Sequence, residues 1–313
     1  MYNITQSAYR KHIRRKRLIF TAAVLVIIGL AVFVATRVVV KVRDWTAKVT
    51  GDRRELLSLW DSGDYDEVLN ISQAALESRP TDYFLLTMHG FSAYQLGISQ
   101  INNLNAEQYF DKCISSLRQA MIDKKSDNDG RLYYVLGKAY SYKGGDYAEL
   151  TIKYLEKARE LSDGTADIPE YLGMAYFAVG DYRKSVAAFS EALGTSAEGP
   201  SGPLLLFIAR AYIALGEYDN ARPYLQRCIE VSPDFRTVLE ARLLLAEVLK
   251  KKDDLEGAIK QLQEIIAETG DNAEAHYQLG ELFALQGNNT RARAEWRLAL
   301  KADPAHAKAR AKL

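Results

Sequence analysis

The chain has 313 residues and a formal net charge of +1, because 41 Lys and Arg side chains nearly balance 40 Asp and Glu. This balance gives no overall electrostatic attraction to nucleic acid, so nucleic-acid binding is not predicted. Proline is scarce at seven residues, which favours helix over sheet. Only two cysteines are present, Cys113 and Cys228, which excludes a disulfide framework and a zinc-binding cysteine pattern.

The first 17 residues are predicted to form a short basic tail on the cytoplasmic side of a membrane. An uncharged segment over residues 18–36 separates two basic stretches. The stretch before it, residues 10–17, reads RKHIRRKR and has six Lys or Arg in eight positions, whereas the eight residues after Thr36 contain three. The more basic side of a membrane segment tends to stay in the cytoplasm. We therefore expect a single-pass protein of the bacterial inner membrane with its large C-terminal domain in the periplasm. The alternative is a C-terminal domain in the cytoplasm.

An uncharged segment follows the basic tail. Residues 18–36 read LIFTAAVLVIIGLAVFVAT, and 19 helical residues span roughly 28 Å, which matches a hydrocarbon core of about 30 Å. The apolar run is longer than the 7–15 residues or so of a cleaved signal peptide. The sequence therefore predicts an uncleaved transmembrane helix over residues 18–40, followed by a juxtamembrane linker over residues 41–48.

A sequence pattern then recurs five times between residues 130 and 306, at intervals of 34 to 37 residues. Each copy has a Leu-Gly-like pair, a large residue three positions after it and a turn. A small residue follows, and a large apolar residue comes four positions later. The pairs are Leu136-Gly137, Leu172-Gly173, Ile208-Ala209, Leu245-Ala246 and Leu279-Gly280, and the large apolar residues are Leu155, Phe189, Leu225, Leu262 and Trp296.

This pattern resembles the tetratricopeptide repeat (TPR) family, whose units read W-x2-L-G-x2-Y, A-x3-F and P over about 34 residues. The resemblance implies an all-α superhelix in which each unit contributes two antiparallel helices. We predict five units over residues 130–306, two degenerate units over residues 49–129 and a short C-terminal cap over residues 307–313. Two departures are an insertion after Gly144 and Asp253 in a turn where Gly is usual.

No repeat contains an identifiable catalytic or metal-binding group. None of the four histidines has a cysteine or carboxylate at a metal-ligand spacing, and no phosphate-binding or nucleophile motif is present. His89 is predicted to be partly buried, and His276 and His306 to lie at the surface. We predict that the chain is not an enzyme, has no cofactor, metal or small-molecule substrate, and keeps both cysteines as free thiols.

The resemblance also implies that the first helix of each unit lines a concave, partner-binding groove, at positions 2, 5, 9, 12 and 13 of the unit. A peptide or helix with an apolar centre and a basic end would suit these residues. The alternative is that they are solvated charges on exposed faces. Chaperone adaptors of the family have Asn at a groove position that lacks it here, which disfavours that role. The predicted groove residues are Tyr134, Lys138, Tyr142, Met174, Phe177, Arg210, Glu247 and Glu281.

These expectations favour a membrane-anchored scaffold that binds protein or peptide partners, for assembly of a cell-envelope complex. One alternative is a chaperone-like protein that holds exported polypeptides. Another is a cytoplasm-facing tether that regulates a membrane enzyme. Self-association through the ends of the repeat array is a further possibility.

Overall fold

A computed structural model describes residues 36–37, 52–100, 105–161, 165–195 and 199–313. The predicted basic tail and the linker over residues 41–48 lie outside these ranges. The predicted transmembrane segment over residues 18–40 also lies outside them, apart from residues 36–37, which are helical. Among the described residues, no helix combines the length and apolar character needed to cross a membrane.

The chain divides into two compact units between residues 124 and 125. In the first unit, consecutive helices pack against each other, most extensively α3 on α4. Its core contains the buried residues Leu56, Val68 and Leu85. The described helices of this unit are α1 (Arg53–Ser62), α2 (Tyr65–Ser78), α3 (Tyr83–Ser99) and α4 (Ala106–Ala120).

The second compact unit is a series of helical hairpins, in which each helix packs against the next one along the chain. All regular elements of the described residues are helical, which confirms the all-α prediction. A 3-10 turn over Gly145–Tyr147 accommodates the insertion after Gly144. The helices are α5 (Gly130–Lys143), α6 (Ala148–Leu161), α7 (Ile168–Ala178), α8 (Tyr182–Thr195), α9 (Gly202–Ala214), α10 (Tyr218–Val231), α11 (Phe235–Lys251), α12 (Leu255–Thr269), α13 (Ala273–Leu285), α14 (Asn289–Ala302) and α15 (Ala307–Arg310).

Local sequence signals explain where the first helices begin and where the hairpins turn. Asp129, Ser201 and Asp234 each accept a hydrogen bond from the backbone N–H of the third residue of the following helix. Within the described ranges, Asp253 is the only non-glycine residue with positive φ, at 62°. The glycine that occupies this turn in the preceding unit, Gly216, has φ 75°. Aspartate tolerates this left-handed conformation better than most residues, which explains the departure from the repeat pattern.

The Leu-Gly pair is explained by the close contact between the two helices of a unit. A Cβ added to Gly173 would lie 2.5 Å from the ring of Phe189, and one added to Gly280 would lie 2.3 Å from Nε1 of Trp296. Phe189 is fully buried and Trp296 is buried. The glycine of the first helix therefore makes room for the large apolar residue of the second helix. Two other repeats have a buried alanine at this position, Ala209 and Ala246.

Both cysteines occupy small-residue positions in this packing. Cys113 and Cys228 are buried and free, which confirms the prediction of two free thiols. The Cys228 thiol donates a hydrogen bond to the backbone oxygen of Gly202 at 3.2 Å. Burial raises the pKa of Cys228 to about 11 and raises that of Cys113 further. Neither thiol is suited to nucleophilic chemistry.

His89 is predicted to be partly buried and is buried inside the first compact unit, with Nδ1 2.7 Å from Ser116 Oγ. Burial lowers the pKa of His89 to about 4. The prediction that His276 lies at the surface is wrong, because it is buried with Nδ1 2.7 Å from the carboxylate of Glu295. His306 keeps only 11% of its side chain exposed. Its side chain caps α15, an arrangement that the repeat pattern does not specify.

The glycine contact can be tested by comparing two Gly→Ala variants. We expect Gly173→Ala to lower the free energy of unfolding by about 1–3 kcal/mol, because the added methyl overlaps the Phe189 ring. Gly194→Ala is the matched control, since Gly194 lies in α8 with no atom within 4 Å of an added Cβ. Better helix propensity should raise the stability of this variant by about 0.5–1 kcal/mol. Urea denaturation of the two full-length variants measures both changes in the free energy of unfolding. Equal changes in the two variants would contradict the packing explanation.

Candidate functional site

The candidate site lies in the second compact unit, on the first helix of each repeat, that is on α5, α7, α9, α11 and α13. It is the side of these helices that contains the predicted groove residues. We call it the groove face. Along this unit, α5 contacts α7, α7 contacts α9, and α9 contacts α11. On α5, α7, α9 and α11 the side chains at repeat positions 5, 9 and 12 therefore form one continuous surface, as parallel first helices of stacked repeats do.

Two predicted groove residues on α5 form a polar clamp with the start of α7. Lys138 Nζ lies 2.6 Å from the carboxylate of Asp167 and donates a hydrogen bond to the Tyr134 hydroxyl at 3.1 Å. The Tyr134 hydroxyl in turn donates to the same carboxylate at 2.9 Å. Lys138 is buried, so its charge is neutralised within the array. Lys138 therefore gives the groove no unpaired positive charge at this point.

Aromatic rings enclose the same lysine. Nζ of Lys138 lies 4.5 Å from the ring centroid of Tyr171 and 5.1 Å from that of Tyr134, both within cation–π range. The hydroxyls of Tyr142 and Tyr171 lie 3.0 Å apart. Burial raises the pKa values of Tyr134 and Tyr171, so both phenols stay neutral at physiological pH. The clamp therefore links two units through one cation, one carboxylate and three phenols.

Sequence reasoning missed Asp167 and Tyr171 as members of this clamp. Asp167 lies at the N-cap of α7, where an aspartate side chain normally caps its own helix, yet it makes no capping hydrogen bond. Its carboxylate instead binds Tyr134 and Lys138 of the preceding unit. The available signal was spacing, because Lys138 is at position 9 of its unit and Asp167 is at position 2 of the next.

The same positions are paired two units later. Arg210 on α9 forms an ion pair with Glu240 on α11, again from position 9 of one unit to position 2 of the next. The Arg210 guanidinium also lies 5.6 Å from the ring centroid of Phe207. Desolvation lowers the pKa of Arg210 without neutralising it at physiological pH. This second basic groove residue also has an acidic partner inside the array.

The last predicted groove residue, Glu281 on α13, is paired with the C-terminal segment. Lys312 Nζ lies 2.9 Å from its carboxylate, and this contact raises the pKa of Lys312. Ala309 of α15 is buried and follows the buried Ala275 by 34 residues, the spacing of a repeat. Residues 307–313, predicted as a short cap, thus continue the repeat register across the groove face.

Between these ion pairs the groove face is apolar. Met174 on α7 packs against the cluster that contains Phe189 and Ile208. The rings of Phe177 and Tyr182 lie 5.3 Å apart. Met174, Phe177 and Ile213 of α9 are only partly buried, and Met174 and Ile213 pack against the core. These three residues, which we call the apolar floor, are available for contact with another molecule.

Two further carboxylates lie on helices of the groove face. Glu170 on α7 and Glu247 on α11 are partly buried, and neither has a hydrogen-bond or ion-pair partner among the described side chains. Burial, together with the negative charge of Asp167, raises the pKa of Glu170. An open depression of about 590 Å³ lies on α11, lined by Asp234, Arg236, Leu239, Glu240 and Leu243. The groove face thus offers apolar and acidic groups, and its two central basic groups are internally paired.

Comparisons with known proteins identify the repeats. Residues 171–235, 212–277 and 273–306 each match a model of the tetratricopeptide repeat family. The chain contains tetratricopeptide repeats. Arrays of this family are scaffolds for protein–protein interaction and are typically non-catalytic. In the described ranges, no group of His, Cys, Asp and Glu side chains is arranged to hold a metal ion.

Solved structures of TPR proteins show the same fold. The C-terminal part of a TPR repeat-containing protein from Cytophaga hutchinsonii aligns over 84% of this chain and 99% of its own, with 16% identity and a TM-score of 0.59. YrrB, described as a TPR protein with an unusual peptide-binding site, aligns over 62% of this chain and 96% of its own, with 23% identity and a TM-score of 0.50. No curated protein matches the TPR chain.

The clamp in this TPR array can be tested by removing its cation. We expect Lys138→Met to lower the free energy of unfolding by about 1–2 kcal/mol, because it leaves the Asp167 carboxylate and the Tyr134 hydroxyl without their cation. The matched control is Lys157→Met on α6, where Lys157 forms an exposed pair with Glu160 and a loss below about 0.5 kcal/mol is expected. Thermal denaturation of both full-length variants makes the comparison, and equal losses would contradict a buried clamp.

Proposed function

We propose that this TPR protein is a membrane-anchored scaffold that binds protein or peptide partners on its groove face during assembly of a cell-envelope complex. The apolar floor is the observation on which the proposal rests. Met174, Phe177 and Ile213 remain partly exposed on the face that TPR arrays use for partners. Apolar side chains that are continuous with a core and open to solvent are typical of interaction sites.

The membrane part of the proposal rests on the sequence. Residues 18–36 have no charge and are long enough to span a bilayer as a helix. The denser basic charge before this segment favours a cytoplasmic N-terminus and a periplasmic TPR array. A single span would hold the array near the bilayer, which suits a scaffold for envelope proteins.

Photo-crosslinking from the groove face in living cells tests the function. A benzophenone amino acid that replaces Phe177 should capture one or two proteins in near-stoichiometric amounts, because the side chain lies in the apolar floor. The matched control replaces Lys157 on the second helix α6, whose side chain is 42% exposed, and should give no specific adduct. Absence of adducts from Phe177 would contradict groove binding, and capture of many exported polypeptides would favour the chaperone-like alternative.

The same cells test the location. Protease added to spheroplasts should digest the TPR array if it is periplasmic, while resistance until lysis would place it in the cytoplasm and favour a tether for a membrane enzyme. Release of the intact chain from the membrane fraction by neutral buffer would contradict the anchor.

A further inference from the structure

The internal ion pairs of the groove face leave two of its carboxylates without a paired cation in the described ranges. Lys138 is paired with Asp167, Arg210 with Glu240, and Glu281 with Lys312. The two carboxylates without such partners among the described side chains, Glu170 and Glu247, lie on α7 and α11. The floor residue Ile213 lies on α9, the helix between them.

Both carboxylates are placed to gain from an external cation. Each is partly buried, so water screens it less than a fully exposed carboxylate. At Glu170 the repulsion from Asp167 is only partly offset by the charge of Lys138, which is already bound to Asp167. A cation brought by a partner would offset the cost of partial burial at both positions.

The spacing of the two carboxylates defines the length of the ligand. Packed helices lie about 8–10 Å apart, so α7 and α11, which are separated by α9, are roughly 16–20 Å apart. An extended peptide advances about 3.3 Å per residue, so five or six residues cover this distance. The ligand therefore needs two basic side chains about six positions apart, with apolar side chains between them for the floor.

We propose that the groove face selects extended peptide segments in which two or three apolar residues are bracketed by Lys or Arg about six positions apart, with Glu170 and Glu247 binding the two cations. This inference rests on the proposed groove function and specifies the class of partner. Charge complementarity supplies the specificity, and the apolar floor supplies the buried area.

Lys250 competes with the ligand at one end. It lies one turn after Glu247 on α11 and has no ion pair among the described side chains. Its charge weakens the attraction of Glu247 for an external cation. Lys250→Ala should therefore tighten the binding of a bracketed peptide about twofold to threefold.

The test uses fluorescein-labelled peptides and the full-length protein in detergent, with binding followed by fluorescence anisotropy. The probe KALALAK should bind at least fivefold more tightly than EALALAE at low salt, and the difference should shrink as salt is raised. KASASAK, which lacks the leucines, should bind weakly because it cannot cover the apolar floor. Glu170→Gln combined with Glu247→Gln should weaken KALALAK binding about fivefold to tenfold.

Two variants make the test specific. Glu170→Lys combined with Glu247→Lys should reverse the preference in favour of EALALAE, a result that loss of folding cannot produce. Glu256→Gln changes an exposed carboxylate on α12 and should leave binding unchanged. Leucine-dependent binding without charge preference would overturn this inference and leave the groove function standing. Absence of binding to all three peptides, together with absence of crosslinks from Phe177, would overturn both.

Discussion

The structure depends on the close approach of two helices within each repeat. Gly173 and Gly280 have no side chain because Phe189 and Trp296 fill the space where a Cβ would lie. This contact lets the two helices of a hairpin pack closely, so that the large apolar side chain of the second helix is buried between them. One hairpin cannot cover its own apolar side, so neighbouring units complete each other's cores. The groove face is the surface that remains after this packing.

Contacts between units then determine which groove residues can meet a partner. The clamp around Lys138 and the Arg210–Glu240 pair both join position 9 of one unit to position 2 of the next. Such pairs hold successive first helices in register and neutralise charges that a sequence listing would assign to ligand binding. The groups left for recognition are apolar residues, a few carboxylates and Lys250, which is unpaired among the described side chains. In this array, position 9 forms a stabilising ion pair in some repeats, at Lys138 and Arg210, and is left for partner binding in another, at Glu247.

The sequence was sufficient to predict the helical class and the repeats, because both depend on short-range periodicity. The turn at Asp253, the glycine contacts and the free cysteines follow from positions within one unit. The pairing of Lys138 with Asp167 was missed, because the spacing of positions 9 and 2 only suggests a partner and the contact itself forms when α7 packs against α5. His276 was assigned wrongly to the surface for the same reason, since Glu295 faces it only after α13 and α14 pack. The eight predicted groove residues stay a prediction as a binding site.

Hydroxyl-radical footprinting of the native full-length chain, read out by mass spectrometry, most directly tests the separation between core and groove face. The structure predicts that Met174 and Phe177 are oxidised, as is the half-exposed Phe235, while the fully buried Phe189 and Leu172 are protected. Oxidation of Phe189 at the rate of Phe235 would contradict the stacked-hairpin packing. Protection of both Met174 and Phe177 would contradict an open groove face.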